Sequence, residues 1–385
     1  MRKTTGLVAL LAATAITALA APAQADPPRA GYTLVFNDDF DGTAVDESKW
    51  NYRTDVKAYS AQRPQNVTVS GGLMSINLKQ ESYAGKDFTG GGLVSKQRFR
   101  YGYYETRAKI NDGSGWHSSF WLLAGDGSTT YSPEARTEVD GFEIDSISPT
   151  NVHQGVHTWD GAGVSGPYHP GSTYNTGVDL RQWHIWGFDW SETSVKFYLD
   201  GVLTYTVSYT PSQWTHDYVN IWLTSIAYGT IPDVSKLPSA VQFDYVRYWQ
   251  KDYYVDNDSP AAYGYSETGT WYDSTLTGWT YGSPTRYAAC HTAGHTATWR
   301  PNLRASGTYQ VYVYKIVHSG SDPNGRYDLV HDGVTSTTYI NGTSGSTGWV
   351  SLGSYYFPAG TGGYVMVSAS GSGCARADAV RFVRV

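Results

Sequence analysis

Charge is scarce in this sequence: Asp, Glu, Lys and Arg make up only 16% of its 385 residues. The charge present leans acidic, with 28 Lys and Arg against 34 Asp and Glu and a formal net charge of −6. That balance argues against a nucleic-acid partner, because neutralising phosphates requires a basic face. Cysteine is almost absent; Cys290 and Cys374 are the only two. Apart from His291, no His or Cys stands near either at zinc spacing, and an isolated pair in an exported chain forms a disulfide. Beyond the N-terminal segment no apolar run is long enough to span a membrane as a helix, so no membrane partner is expected. A sustained helical period with capping residues is also missing.

The N-terminus reads as an export signal. Arg2 and Lys3 precede an apolar, Ala-rich stretch from Gly6 to Ala21, and Ala23-Gln24-Ala25 is a small-residue cleavage site. Residues 1–25 are therefore expected to be a signal peptide, and the protein to be secreted and extracellular, acting as a monomer.

Aromatics and glycine are abundant: 32 Tyr, 14 Trp and 42 Gly. Aromatic and Thr-rich runs separated by glycine turns favour strands, so the expected fold class is all-β. Asn66-to-Leu78 is expected to fold back around Gly71-Gly72. Ser194-to-Val207 is centred on Asp200-Gly201, the strongest short hairpin signal. A polar, proline-ended break at Asp256-Asn257-Asp258-Ser259-Pro260 follows a run of strands, and both cysteines lie beyond it. The expected division is a catalytic β-sandwich at 26–251 and a smaller β-sandwich at 252–385.

One segment carries candidate chemistry: Thr137-Glu138-Val139-Asp140-Gly141-Phe142-Glu143-Ile144-Asp145. On a strand, Glu138 and Asp140 share a face, whereas Glu143 falls on the opposite one. A β-bulge near Gly141 would return Glu143 to the same face. The two glutamates would then stand about four strand steps apart, roughly 13 Å of backbone, and side chains leaning together would bring their carboxyls to about 5 Å, the separation of a retaining glycosidase. Glu138 would be the nucleophile, Glu143 the acid/base and Asp140 the acid between them. The alternatives are a solvated acidic strand face and a Ca²⁺ site built from the same carboxylates.

Glu138 to Glu143 resembles the E-x-D-x-x-E signature of glycoside hydrolase family 16, the laminarinase, lichenase, agarase and carrageenase family. The flanks agree: Phe36-Asn37-Asp38-Asp39-Phe40-Asp41-Gly42, Tyr101-Gly102-Tyr103-Tyr104-Glu105-Thr106-Arg107, Ser118-Ser119-Phe120-Trp121-Leu122-Leu123 and Asp244-Tyr245-Val246-Arg247-Tyr248. The resemblance covers about residues 32–250 and implies a β-jelly-roll with a cleft on its concave face. It also implies that Trp116 and Trp121 are sugar platforms, that His157 lies by the acid/base, and that catalysis needs no cofactor. A structural Ca²⁺ is implied at Asp39, the carbonyl near Gly71, and Asp244. The implied partner is a polysaccharide: β-1,3- or mixed-linkage glucan first, a β-galactan such as agar or carrageenan second. Three features depart from the family: Gly141 replaces an apolar residue, Ile144-Asp145-Ser146 follows Glu143, and Trp116-His117-Ser118-Ser119 lacks a Trp-Pro-Ala-x-Trp run. The second segment resembles the golvesin and xanthan-lyase C-terminal module through Val255-Asp256-Asn257-Asp258, Ala297-Thr298-Trp299 and Ala377-Asp378-Ala379-Val380-Arg381-Phe382, which implies glycan binding. A transglycosylase would use the same acids, and a non-catalytic lectin would not need them aligned.

Overall fold

The computed structural model describes residues 30–128, 136–161, 164–210, 214–215, 218–259, 261–280 and 283–385. The expected signal peptide and the start at Asp26 lie outside them. The described residues form strands, nearly all paired antiparallel (Ser60–Gln62 runs parallel to Lys86–Phe99), with only short 3₁₀ turns. Among them no helix is long and apolar enough to cross a membrane.

Two sheets make the first sandwich. One carries Val202–Ser208, Ser194–Leu199, His184–Trp190, Gly102–Lys109 and Ser239–Gln250 in that order, and the far edge of Ser239–Gln250 pairs with both Thr33–Asp38 and Leu73–Tyr83. The other runs Trp50–Tyr52, Lys86–Phe99, Val219–Ala227, Trp116–Leu123, Arg136–Asp145, Asn151–Gly161 and Gly171–Asn175. The hairpins form at the dipeptides expected. Gly71 and Gly72 have φ of 61° and 76°, and Asp200 and Gly201 have 49° and 78°, the positive values a two-residue turn requires.

Alternation along the strands fills the space between the sheets with rings. Phe120, Phe142, Trp186, Phe188 and Tyr104 belong to one buried cluster. Phe120 meets Phe188 at 5.3 Å, and Phe142 meets Trp186 at 4.9 Å. Edge-on and tilted ring contacts of this kind add to what burial itself contributes.

The second sandwich has its own core, built around Trp299, Tyr309, Val311, Phe357, Val367 and Phe382. Cys290 and Cys374, 84 residues apart, form the disulfide. A loop of that size contributes about 4–5 kcal/mol in the chain-entropy picture.

The two sandwiches share apolar surface. Tyr254, Trp279 and Ala379 join the buried cluster of the first, and Tyr254 stacks on Trp279 at 5.3 Å. At the seam the Glu192 carboxylate accepts from Trp279 Nε1 at 2.9 Å, Trp349 Nε1 at 2.6 Å and Arg381 at 2.6 Å.

Candidate active site

Arg136–Asp145, the acid strand, lies between Trp116–Leu123 and Asn151–Gly161. Its apolar residues Val139, Phe142 and Ile144 enter the core. Asp140 pairs with Trp121 and Phe142 with Phe120, so the acid strand spends two steps where its neighbour spends one. This is the expected bulge, at the expected glycine. Gly141 and Phe142 both turn inward, and Glu143 emerges on the face of Glu138 and Asp140.

Glycine is needed there for lack of room. A Cβ on Gly141 would lie 2.5 Å from Phe188 Cε1 and 2.9 Å from the Phe120 carbonyl oxygen. The apolar residue expected of the family at this position is excluded by the Phe188 ring. Buried Gln154 satisfies the bulge: its Nε2 donates to the Gly141 carbonyl at 2.9 Å, while its Oε1 accepts from Tyr174 and Thr204, each at 2.8 Å.

The carboxylates form one cluster. Asp140 hydrogen-bonds Glu138. Ligand-type atoms of Asp140, Glu143 and His153 lie within 4.8 Å of one another. Trp159 Nε1 donates to Glu138 Oε2 at 2.9 Å. His117 bridges Glu143, at 3.0 Å from Nε2, and Asp145, at 2.8 Å from Nδ1.

Burial and like charge set the protonation. Burial, then the Glu143 charge, pushes Glu138 up to about 8. Burial, with Glu143 and Glu138 alongside, raises Asp140 well above the carboxylate range. Burial also acts to raise Glu143, but the hydrogen bond and charge of His117 outweigh it and the net shift is downward. Burial disfavours charge on His117; its bonds to Asp145 and Glu143 prevail and lift it to about 9. At neutral pH the site thus holds a proton on the Glu138–Asp140 side, opposite a Glu143 anion and an imidazolium. A group that displaced His117 from Glu143 would remove the main influence that lowers that carboxyl.

The remaining expected site residues divide. Trp121 lies on the site face opposite Asp140, nearly buried, with its Nε1 donating to Thr224 at 3.0 Å and its ring 4.9 Å from Trp222. With Val94, Leu123 and the edge of Trp159 it makes an apolar floor. Trp116 is not a platform. It is 1% exposed in the inter-sheet core against Phe88, because side chains alternate and His117 takes the outward position. His157 stands opposite Glu138, packed on Trp159 at 4.5 Å; the histidine opposite Glu143 is His153. The calcium set does not fit: Arg247 pairs with Asp39 at 2.6 Å and Arg107 pairs with Asp244 at 2.7 Å, so arginines already neutralise both carboxylates.

His117, His153, Trp159 and Tyr228 were missed from sequence. Tyr228 is 53% exposed and packs edge-on to His117 at 5.6 Å, which makes it an accessible ring at the site's rim. The usable signal was parity: with Trp121 outward, His117 on the same strand is outward too.

A β-sandwich bearing three clustered acids on one face over an aromatic floor is the architecture of a polysaccharide-cleaving glycoside hydrolase. The chain belongs to glycoside hydrolase family 16: residues 34–251 match the model described as beta-porphyranase A-D, GH16 domain. Residues 253–384 match the golvesin C-terminal domain. Among curated relatives, a glucan endo-1,3-beta-glucosidase A1 of Niallia circulans is 27% identical over 59% of this chain and 39% of its own length. A beta-glucanase of Rhodothermus marinus is 28% identical over 45% of this chain and 65% of its own. The chain thus spans under two thirds of either relative. A xanthan lyase of a Bacillus strain is 36% identical over 34% of this chain and 14% of its own length. Among solved structures, the non-specific endo-beta-1,3(4)-glucanase SCLam superposes with a TM-score of 0.51 at 26% identity, covering 59% of this chain and 94% of that one.

Proposed function

We propose that the chain is a secreted, endo-acting β-glycoside hydrolase that cleaves a polysaccharide by double displacement. The observation that carries the reading is the bulge at Gly141, which sets Glu138, Asp140 and Glu143 on one face. Glu138 attacks the anomeric carbon, and Trp159 and Asp140 hydrogen-bond its carboxyl. Glu143 protonates the leaving oxygen, then takes a proton from the water that releases the sugar. Asp145, across His117 from Glu143, holds the imidazole in place. The porphyranase-type model and the missing Trp-Pro-Ala-x-Trp run favour a β-galactan as substrate. The glucanase relatives keep β-1,3- or mixed-linkage glucan as the second reading.

The test is a reducing-end assay on porphyran, agarose, κ-carrageenan, laminarin and lichenan, with proton NMR of the first product. The expected result is turnover of one polymer with the β-anomer formed first. Glu143→Gln should lower the rate about 10²–10⁴-fold, and Glu138→Gln should lower it at least as much. Binding without turnover on every polymer would leave a lectin. Sugar transfer to an added acceptor in preference to water would make the chain a transglycosylase.

A further inference from the structure

We propose that the cleft where the two sandwiches meet is a second saccharide site, one that takes an anionic glycan bearing sulfate-ester or carboxylate groups. The cleft has a volume of about 380 Å³, within the range of about 300–1,000 Å³ usual for small-ligand sites. One wall is the end of the strand Lys86–Phe99 with Tyr218; the other is the turn at Tyr263-Gly264 and the segment from Arg300 to Arg304. Arg98 and Arg100 line it from the first domain, and Arg300 and Arg304 from the second. No Asp or Glu lines it, although acids outnumber bases in the chain by 34 to 28.

Elsewhere in the second domain Arg376 donates to Ser321 Oγ at 2.6 Å, Arg384 donates to Thr33 Oγ1 at 3.1 Å, and the other three arginines are ion-paired. Arg286, Arg326 and Arg381 each hold a carboxylate, at 2.7, 3.0 and 2.6 Å. Arg98, Arg300 and Arg304 pair with no carboxylate among the described residues. Arg300 is nonetheless held in place: its guanidinium lies 4.0 Å from the Tyr364 ring and donates to the Thr361 carbonyl at 2.9 Å. The walls are fixed as well. Tyr218 stacks on Tyr263 across the seam at 4.0 Å, and the Arg98 N–H donates to Tyr263 Oη at 3.2 Å. Gly264, at φ +102°, admits the Arg300 carbonyl where a Cβ would overlap it.

The guanidinium groups of Arg98, Arg300 and Arg304, gathered in a walled cleft, make a positive pocket; Arg100 is occupied, its charge acting on Asp256 and its Nη2 donating to Ser259. The sulfate or carboxylate of a bound sugar takes paired N–H donors from arginine. A neutral glycan would leave those charges uncompensated. Because the walls belong to different domains, occupancy would also bind the domains to each other.

The experiment uses the full chain carrying Glu138→Gln, so that no probe is consumed. It is titrated calorimetrically with κ-carrageenan tetrasaccharide, tetragalacturonate and neutral agarose tetrasaccharide. The expected result is that at least one anionic probe binds more tightly than the neutral one and weakens with added salt. Adding Arg98→Ala or Arg300→Ala should then weaken it roughly tenfold each at unchanged melting temperature. Which anionic probe binds separates sulfate from carboxylate. Equal affinity for that probe with and without either substitution would overturn the proposal, as would failure of both anionic probes to bind. Because an inactivated chain is titrated, the result does not depend on the hydrolase reading.

Discussion

His117 and Glu143 stand 3.0 Å apart, and their opposite shifts control which carboxyl of the site carries the proton. Hydrolysis needs one proton in the cluster. The Glu138 carboxyl, raised to about 8, gives that proton up as pH rises past that value. The value of kcat/KM on the cleaved polymer should therefore fall above about pH 8, with the fall read from a full pH profile. Replacing the imidazolium by a neutral donor removes the main influence that lowers Glu143. His117→Gln should move the alkaline limb upward by about one unit. A uniform drop in rate with both limbs unmoved would mean that His117 only supports the strand.

The acid strand shows how an element makes a site that its residues alone could not. Its bulge rests on a glycine that cannot be enlarged and on a buried amide that occupies the freed carbonyl. Gly141→Ala forces a methyl against Phe188 and should destabilise the protein by about 1–3 kcal/mol in urea unfolding. Gln154→Leu leaves the Gly141 carbonyl and the Tyr174 hydroxyl without this partner, while the Thr204 hydroxyl keeps the Phe197 carbonyl. A cost of about 1–3 kcal/mol is expected, with kcat falling well beyond what the fraction unfolded explains, because Glu143 loses its aim. Activity unchanged in Gln154→Leu would show that the bulge holds itself.

For the molecule as a whole, the shared core between the sandwiches should make unfolding a single event. Glu192 is the polar pin of that seam, 11% exposed and accepting from three donors of the second domain. Glu192→Ala strands Arg381 and should cost about 3 kcal/mol, splitting the calorimetric transition in two. Two buried acids of the second domain add a pH dependence. Burial, opposed in part by the Trp279 N–H, pushes Asp378 up to about 8. Burial, then the Asp378 charge, pushes Asp256 to about 6. Both rise above their unfolded values, so the folded state binds more protons. Their contribution is complete at low pH, below the unfolded carboxylate range, and is lost as pH rises through about 6 and then about 8. Stability should fall by up to about 1.4 kcal/mol per pH unit for each linked proton in that window. The melting temperature should decline from pH 5 to pH 8.5, and Asp378→Asn should flatten its upper part.

The amino-acid sequence by itself determined the strands, both glycine-centred hairpins, the pairing of Cys290 with Cys374, and the acid triplet with its bulge. These follow from periodicity and from residue types with few conformational options, and both are local. The tertiary structure alone decided what each outward side chain meets. Strand parity sent Trp116 into the core and His117 to the acids, and register placed His153 rather than His157 opposite Glu143. Arg247 and Arg107, far along the chain, claimed the carboxylates expected to hold calcium. Gly141 is required because of Phe188, 47 positions away, and the arginine cleft exists only where two domains meet. The reason is common to all of these: contacts between distant segments depend on pairing register and docking, and neither is written in any single stretch of the chain.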